Sequence, residues 1–196
     1  MQNRTATLDR TTKETAIRLT LSLDGAGNSD VRTGLPFFDH MLTLFARHGL
    51  FDLEIEAKGD LAVDYHHTVE DVGIALGTAF ASALGDKAGI RRYGFAYIPM
   101  DEALVRAVVD CSGRPFLAYD APRGIEAIGL FPFQLVEEFL RAFTVNAGLT
   151  AHVAVLAGRD AHHMAEAVFK CLARALDAAV SYDERVKGIP STKGVL

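Results

Sequence analysis

The seven residues DYHHTVE at positions 64–70 return as DAHHMAE at positions 160–166. Both stretches read Asp-x-His-His-x-x-Glu. The shorter pattern His-His-x-x-Glu is expected by chance about 0.01 times in such a chain, which gives two copies odds of about one in ten thousand. The pair therefore indicates an internal duplication, and it gathers four of the seven histidines into two short segments.

The sequence around the two motifs repeats one order of elements. Alternating apolar residues predict strands, and apolar residues three and four apart predict helices. The predicted strands are 16–23 and 51–57 in the first half and 94–98, 103–110 and 151–157 in the second; the predicted helices are 36–49, 66–84, 132–148 and 162–180. Glu102 follows Glu14 by 88 residues and His162 follows His66 by 96. The offset between the two halves therefore changes by only a few residues, which loops can accommodate.

The repeated order predicts an α+β fold, built by tandem duplication of a strand-strand-helix-strand-helix half-domain. We expect a first half-domain at residues 1–90, a second at 91–182, and a C-terminal substrate-binding tail at 183–196.

Composition and charge limit the classes of function. The 196 residues are 49% hydrophobic and 23% charged, with a formal net charge of −5. This balance favours a globular protein with a sizeable core, and it argues against a nucleic-acid or anionic-membrane binder. The N-terminus has no apolar leader and no apolar run is long enough for a membrane span, so we expect a cytoplasmic protein. Cys111 and Cys171 are expected to be buried free thiols.

The two motifs suit metal binding. On a helix, His66 and Glu70 lie four residues apart and can face one ion, whereas His67 points about 100° away toward a second ion. The same holds for His162 with Glu166, and for His163. A single His-His pair is more often a surface feature, but two matching copies favour a metal site. Imidazole and carboxylate without thiolate suit Mn, Fe or Zn. Asp64 and Asp160 are placed to cap the two helices.

Other residues are candidates for completing the metal shells and for holding an anion. His40 lies on the first helix of its half, and its counterpart in the second half is Glu138, although a lone glutamate there is more often solvated. The tail from Lys187 to Gly194 offers Ser191 and Lys193 as a grip for phosphate, although terminal basic segments are often inert. Further candidate cations are Arg91, Arg92, Arg114 and Lys170.

Nearly the whole chain resembles the imidazoleglycerol-phosphate dehydratase family of histidine biosynthesis. The segments that carry the resemblance are Thr12–Thr15, Phe38–Leu42, 48–74, GIRRYG at 89–94, SGRPFL at 112–117, 162–176 and GIPSTKGVL at 188–196. The resemblance implies two Mn²⁺ per active site, with Zn²⁺ or Fe²⁺ not excluded by the ligand types. It implies half-domains similar to the second domain of ribosomal protein S5, and a homo-oligomer of 24 subunits with active sites between subunits.

The resemblance also assigns residues. It implies metal ligands at His40, His66, His67, Glu70, His162, His163 and Glu166, with Glu138 where a histidine can ligate in the family. It implies substrate contacts at Glu14, Arg92, Arg114, Lys170, Ser191 and Lys193, of which the four cations and Ser191 are placed for the phosphate. If the halves pair around a pseudo-twofold axis, one ion takes His40, His67, His162 and Glu166, and the other takes His66, Glu70, Glu138 and His163.

The implied reaction converts D-erythro-1-(imidazol-4-yl)glycerol 3-phosphate into 3-(imidazol-4-yl)-2-oxopropyl phosphate, a small phosphorylated imidazole losing water. Two Lewis acids on the ring nitrogens would favour imidazolate, which can expel hydroxide. Glu14 is the leading acid/base candidate, with Glu70 or Glu166 as alternatives. The alternative enzyme is a dinuclear metal hydrolase that acts on a phosphorylated metabolite. The non-enzymatic alternative is a structural shell whose subunits are held together by metal ions.

Overall fold

The computed structural model describes residues 4–125 and 127–196, and this part of the chain forms eight strands and four helices. The first half contains β1 (Thr5–Thr11), β2 (Thr15–Ser22), β3 (Ser29–Arg32), α1 (Pro36–Gly49), β4 (Asp52–Gly59) and α2 (His66–Leu84). The second half contains β5 (Tyr93–Met100), β6 (Ala103–Asp110), β7 (Phe116–Asp120), α3 (Leu135–Ala147), β8 (Thr150–Ala157) and α4 (Ala161–Val180).

Each half folds its strands into one sheet with the same topology. The first sheet has the order β1-β2-β4-β3 and the second the order β5-β6-β8-β7. In each sheet the last pair is parallel and the other two pairs are antiparallel. The register matches as well: Arg10 pairs with Ile17, and Ile98 pairs with Val105, each 88 residues later. The α+β class and the tandem duplication are therefore confirmed.

Three strands lie outside the elements predicted from the sequence, namely β1, β3 and β7. Strand β3 has four residues, of which Val31 alone is apolar, so it has no periodicity to detect. Strand β7 is defined by its pairing with β8, far along the chain. Each half therefore has one strand more than the predicted unit. Helix α3 begins at Leu135 because the residues from Pro132 form a turn, in which the amide of Leu135 donates to the carbonyl of Pro132.

The helices join the two halves through one hydrophobic core. Helix α2 packs on α3, and α1 packs on α4. Phe38 of the first half lies edge-on to Phe139 of the second, with ring centroids 5.5 Å apart, and Phe45 meets Phe143 at 5.8 Å. All four rings are fully buried. Because each buried phenylalanine contributes about 1.5–3 kcal/mol, these contacts hold the halves firmly together.

Helices α2 and α3 cross closely because α2 presents two glycines to its neighbour. A Cβ atom on Gly73 would lie 2.8 Å from Cβ of Ala142, and one on Gly77 would lie 2.5 Å from the carbonyl oxygen of Phe143. Real side chains do not tolerate such distances, so the crossing requires glycine at both positions.

Two further predictions can be compared with the fold. Cys111 and Cys171 are free and buried, as expected, and burial raises the pKa of each thiol to about 12. None of the helices in the described ranges is long and apolar enough to cross a membrane.

Candidate active site

The two histidine motifs occupy the first turns of α2 and α4. Asp160 is the N-cap of α4, where its side chain accepts from the amide of His163 at 3.0 Å, and this prediction is confirmed. In α2 the N-cap is Tyr65, one residue later than predicted. Asp64 nevertheless accepts from the amide of His66 at 2.8 Å. Both carboxylates thus fix the residues that begin the helix, by satisfying amides that have no partner within it.

Three predicted metal ligands come together in one place. Nε2 of His40, on α1, lies 3.3 Å from Oε2 of Glu166, and Nε2 of His162 lies 3.3 Å from the same oxygen. The three ligand atoms lie within 4.8 Å of one another. We call His40, His162 and Glu166 the ligand trio. Among the described residues, no other group of three histidine, cysteine or acidic side chains is this compact. The trio joins the two halves, because α1 belongs to the first and α4 to the second.

The carboxylate of the trio is held in its ionised form. The side chain of Glu166 is 9% exposed, and burial alone would raise its pKa. The ammonium of Lys170, one helical turn later, contacts Oε1, and together with His40 and His162 it holds the pKa of Glu166 below its usual value. An ionised carboxylate flanked by two imidazoles can hold a divalent cation.

The first motif is more open. Nε2 of His66 and Oε2 of Glu70 lie 3.7 Å apart on one face of α2, and both side chains are nearly half exposed. The pair offers two ligands to one ion, as the spacing predicts. Glu138 lies on α3, with Oε2 3.8 Å from Nε of Arg141, and it is not a member of the ligand trio.

The second histidine of each motif is oriented by a carboxylate. Nδ1 of His67 lies 2.9 Å from Oδ2 of Asp60, and Nδ1 of His163 lies 2.8 Å from Oε2 of Glu102. These hydrogen bonds raise the pKa of both histidines. An imidazole bound through Nδ1 can ligate through Nε2, and metal-binding histidines commonly have such a carboxylate partner.

Neither orienting carboxylate was predicted to belong to the site. Glu102 entered the sequence analysis only as the counterpart of Glu14. It also accepts from the backbone amides of Asp160 and Arg159, and these bonds, with His163, lower its pKa to about 2. Asp60 and Glu102 both lie in loops at strand ends. An acidic residue at such a position is the sequence feature that could have indicated their role beside the histidines.

Glu14 lies close to the first motif. It occupies the turn between β1 and β2, with Oε2 3.9 Å from Nδ1 of His67. About half of its side chain is exposed, so the carboxylate can reach a ligand bound at the surface. The predicted acid/base candidate is thus adjacent to a predicted metal ligand from a distant part of the sequence.

Four of the five side chains predicted to hold the substrate phosphate line one pocket. The pocket has a volume of about 400 Å³ and is lined by Arg92, Ser112, Gly113, Arg114, Ser191, Thr192, Lys193, Val195 and Leu196. Arg92 donates to both carboxylate oxygens of Asp110 and to the carbonyl of Pro190, which joins the tail to the second half. Lys170 is the exception, since it contacts Glu166 at the ligand trio.

Known proteins resemble this chain over most of its length. The sequence profile of the imidazoleglycerol-phosphate dehydratase family matches residues 33–176. The imidazoleglycerol-phosphate dehydratase of Thermoanaerobacter pseudethanolicus is 61% identical over 193 residues, which cover 98% of this chain and all of the relative. That of Halorhodospira halophila is 58% identical and covers both chains completely.

Solved structures give the same result for the fold. The crystal structure of imidazoleglycerol-phosphate dehydratase from Staphylococcus aureus superposes with a TM-score of 0.83 at 42% identity, over 91% of this chain and 99% of that one. The enzyme from Pyrococcus furiosus also gives 0.83, at 39% identity, over 96% and 100% of the two chains. The chain therefore belongs to the imidazoleglycerol-phosphate dehydratase family, and its activity is that of a hydro-lyase of histidine biosynthesis.

Proposed function

We propose that the chain dehydrates imidazoleglycerol phosphate with two Mn²⁺ per active site, held by the two Asp-x-His-His-x-x-Glu motifs. The observation that carries the proposal is the ligand trio, in which His40, His162 and Glu166 from both halves meet within 4.8 Å. Membership of the family indicates the reaction. The ligand trio offers nitrogen and oxygen atoms that can bind a metal ion.

The donor set fits a divalent cation. It consists of imidazole nitrogens and carboxylate oxygens without thiolate, a combination that suits Mn²⁺, Fe²⁺ or Zn²⁺. When bound, such cations act as Lewis acids toward the two nitrogens of the substrate ring and so assist departure of the hydroxyl from the adjacent carbon.

Each ion is proposed to take ligands from more than one part of the assembly. The first would be held by His40, His162 and Glu166 with His67, and the second by His66, Glu70, Glu138 and His163. His67 is not a member of the compact trio, and its Nδ1 is bound to Asp60. Its Nε2 remains able to ligate, and we propose that it does so at the trio of a second copy of the chain, as active sites between subunits would require.

The pocket at the tail is proposed to bind the phosphate. Arg92 is fixed by Asp110, whose hydrogen bonds raise the pKa of the guanidinium and keep it charged. Arg114 and Lys193 add two cations, and Ser191 adds a hydroxyl. Fixed cations of this kind position the substrate, so that its imidazole ring and its two reacting carbons occupy constant places.

Glu14 is proposed to move the proton. The bond between the ring-bearing carbon and its hydroxyl oxygen breaks, and the hydroxyl leaves as hydroxide. The neighbouring carbon gives its proton to the Glu14 carboxylate, and the electrons of that C–H bond form the double bond of the enol. Protonated Glu14 returns the proton to the hydroxide, which leaves as water, and the enol tautomerises to the ketone. Glu70 and Glu166 are the alternatives. Glu166 is a weaker candidate because its oxygens already contact Lys170, His40 and His162.

A homo-oligomer, with 24 subunits as its proposed size, is supported by apolar side chains that this chain leaves uncovered. Phe95 on β5 is 72% exposed, and Leu130 is 82% exposed. Tyr93, Tyr97 and Phe116 are also more than half exposed. Exposed aromatic residues in such number are typical of surfaces that other subunits cover.

One assay tests the proposal. The purified protein is stripped of metal, reloaded with Mn²⁺ and incubated with imidazoleglycerol phosphate, while ketone, inorganic phosphate and bound metal are measured. We expect ketone without phosphate release, and two Mn²⁺ per chain. Turnover that is unaffected by removal of metal would contradict the metal proposal, and release of free phosphate would indicate the hydrolase alternative.

A further inference from the structure

A buried carboxylate with no role in the proposed site lies directly after Glu70. Asp71 is on α2, with its side chain 10% exposed. Its Oδ2 accepts from the hydroxyl of Thr15, and it lies 2.7 Å from Nη1 of Arg10. Burying a carboxylate costs free energy unless it is paired and hydrogen-bonded, and these two partners meet that requirement.

Both partners belong to the hairpin that carries Glu14. Arg10 is on β1, and Thr15 is the first residue of β2, directly after Glu14. The turn between them is closed by Thr12, whose hydroxyl accepts from the amides of Glu14 at 3.1 Å and Thr15 at 3.0 Å. The contacts of Asp71 therefore attach this turn to the end of α2 that carries the first histidine motif.

The second half has no polar side chain at the positions equivalent to this cluster. At the offsets of 88 and 96 residues that the duplication defines, Arg10 corresponds to Ile98, Thr15 to Ala103, and Asp71 to Ala167. Ala103 and Ala167 are buried, and α4 packs on β5 and β6 as α2 packs on β1 and β2. In that half the turn is attached to α4 by Glu102 itself, which bonds His163 and the amides of Arg159 and Asp160. In the first half Asp71 makes the attachment through Thr15 and Arg10, and the carboxylate of Glu14 does not take part in it.

We propose that Asp71 is a positioning residue: through Thr15 and Arg10 it fixes the β1–β2 turn so that Glu14 stays beside the metal-binding end of α2. Asp71 does not itself touch the substrate. The inference rests on the proposed role of Glu14. It implies that losing the contact lowers kcat and leaves KM nearly unchanged, because the phosphate is held by the separate pocket at the tail.

The test uses the full-length, Mn²⁺-loaded enzyme. Thr15→Val removes the hydroxyl with little change in volume, and Thr15→Ser keeps it. Thr20→Val is the matched control, since Thr20 is on the same strand and its hydroxyl bonds Thr7 at 3.1 Å on the other face of the sheet. We expect Thr15→Val to lower kcat by about ten- to a hundredfold, as small displacements of a reacting group do. Its KM should change less than about twofold if phosphate binding dominates KM.

Thr15→Ser and the control should keep kcat near that of the unchanged enzyme. Asp71→Asn provides a second variant and should lower kcat in the same way. Amide hydrogen exchange of the metal-free protein gives a readout independent of turnover: exchange at residues 12–16 should become faster in Thr15→Val and remain unchanged in the control. A Thr15→Val enzyme with unchanged kcat and unchanged exchange would overturn the inference.

The role of Glu14 is tested separately. If Glu14→Gln abolishes turnover while Thr15→Val does not affect it, the positioning inference is wrong and the proposed function stands. If Glu14→Gln keeps turnover, the proposed role of Glu14 is wrong, and the positioning inference that rests on it is overturned as well. In a Glu14→Gln background, Thr15→Val should add little further loss of kcat, whereas a purely structural defect would add its own.

Discussion

Both copies of the histidine motif lie in the first turns of a helix, but their surroundings differ. Glu166 is 9% exposed, contacts Lys170 and meets two histidines at 3.3 Å, whereas Glu70 is 46% exposed and lies 3.7 Å from His66. The position equivalent to Lys170, 96 residues earlier, is Ile74. The two motifs thus offer equivalent ligands, but His40 and Lys170 contact the glutamate of the second motif, whereas the glutamate of the first motif is more exposed.

The residues next to the motifs differ in a related way. In the second half Glu102 orients His163 and accepts from two amides that precede α4. In the first half it is Asp60 that bonds His67 at 2.9 Å. Glu14, which corresponds to Glu102, lies farther from His67, at 3.9 Å. Of these two equivalent glutamates, one bonds the backbone before α4, and the other is the residue proposed to transfer the proton.

The largest expected effect separates these two glutamates. Glu14→Gln should lower turnover by about 10²- to 10⁴-fold, the usual contribution of a positioned acid or base, with the unfolding temperature and Mn²⁺ content unchanged. Glu56→Gln, an exposed glutamate of β4, is the control and should keep full turnover. Steady-state kinetics, thermal unfolding and metal analysis check the prediction, and near-normal turnover would remove Glu14 from the role.

The next effect separates the two metal sets. His40→Ala removes one member of the ligand trio, so the enzyme should lose about one of its two Mn²⁺ first and lose turnover with it. His48→Ala, on the same helix, is the control and should keep both ions. Metal analysis after dialysis at graded Mn²⁺ concentrations measures the occupancy. Equal loss of both ions in His40→Ala would count against the division of ligands proposed above.

A smaller effect tests the orienting carboxylates. Asp60→Ala and Glu102→Ala should each weaken Mn²⁺ binding by about 10- to 100-fold, because each releases the imidazole that it orients. Glu102→Ala should also lower the unfolding temperature of the metal-free protein more than Asp60→Ala does, since Glu102 accepts from the amides before α4 as well. Equal unfolding temperatures in the two variants would show that the halves do not differ in this respect.

The smallest effect concerns pH. The hydrogen bonds from Asp60 and Glu102 raise the pKa of His67 and His163. In the metal-free protein these pairs therefore stabilise the fold fully below the unfolded pKa of about 6.5, and the stabilisation disappears as the pH rises through the higher folded pKa. Mn²⁺ affinity should change in the opposite direction and rise over the same window, because a ligating histidine is neutral. Unfolding and Mn²⁺ titrations between pH 6 and 8 test both signs, and Asp60→Asn should reduce each slope.

The sequence was sufficient for features with a strong local or repeated signal. The periodicity of residues 16–23 and 66–84 predicts β2 and α2, and the repeated motif predicts the duplication. Strand β3 could not be predicted in the same way, because four mainly polar residues form a strand only through pairing with β4.

The candidate site likewise combines contacts that the sequence predicts with contacts that depend on tertiary packing. Spacing alone places His162 and Glu166 on one helix face, but the meeting of Glu166 with His40, 126 residues away, depends on the packing of α1 against α4. The contact of Lys170 with Glu166 could have been predicted, because residues four apart face each other on a helix. The family resemblance led instead to the prediction that Lys170 binds the phosphate. Asp60 and Glu102 were not predicted because loop geometry brings them to the histidines.

The close crossing of α2 and α3 at Gly73 and Gly77 has a consequence for how the protein folds. Although the chain carries two copies of one unit, neither copy has a complete core, because the faces of α2 and α3 cover each other and Phe38 and Phe45 pack on rings of the other copy. The two copies therefore form a single cooperative folding unit. A fragment ending after α2 would expose Gly73, Gly77 and the apolar side chains of that face to water, so we expect such a fragment to fold only when another chain covers that face.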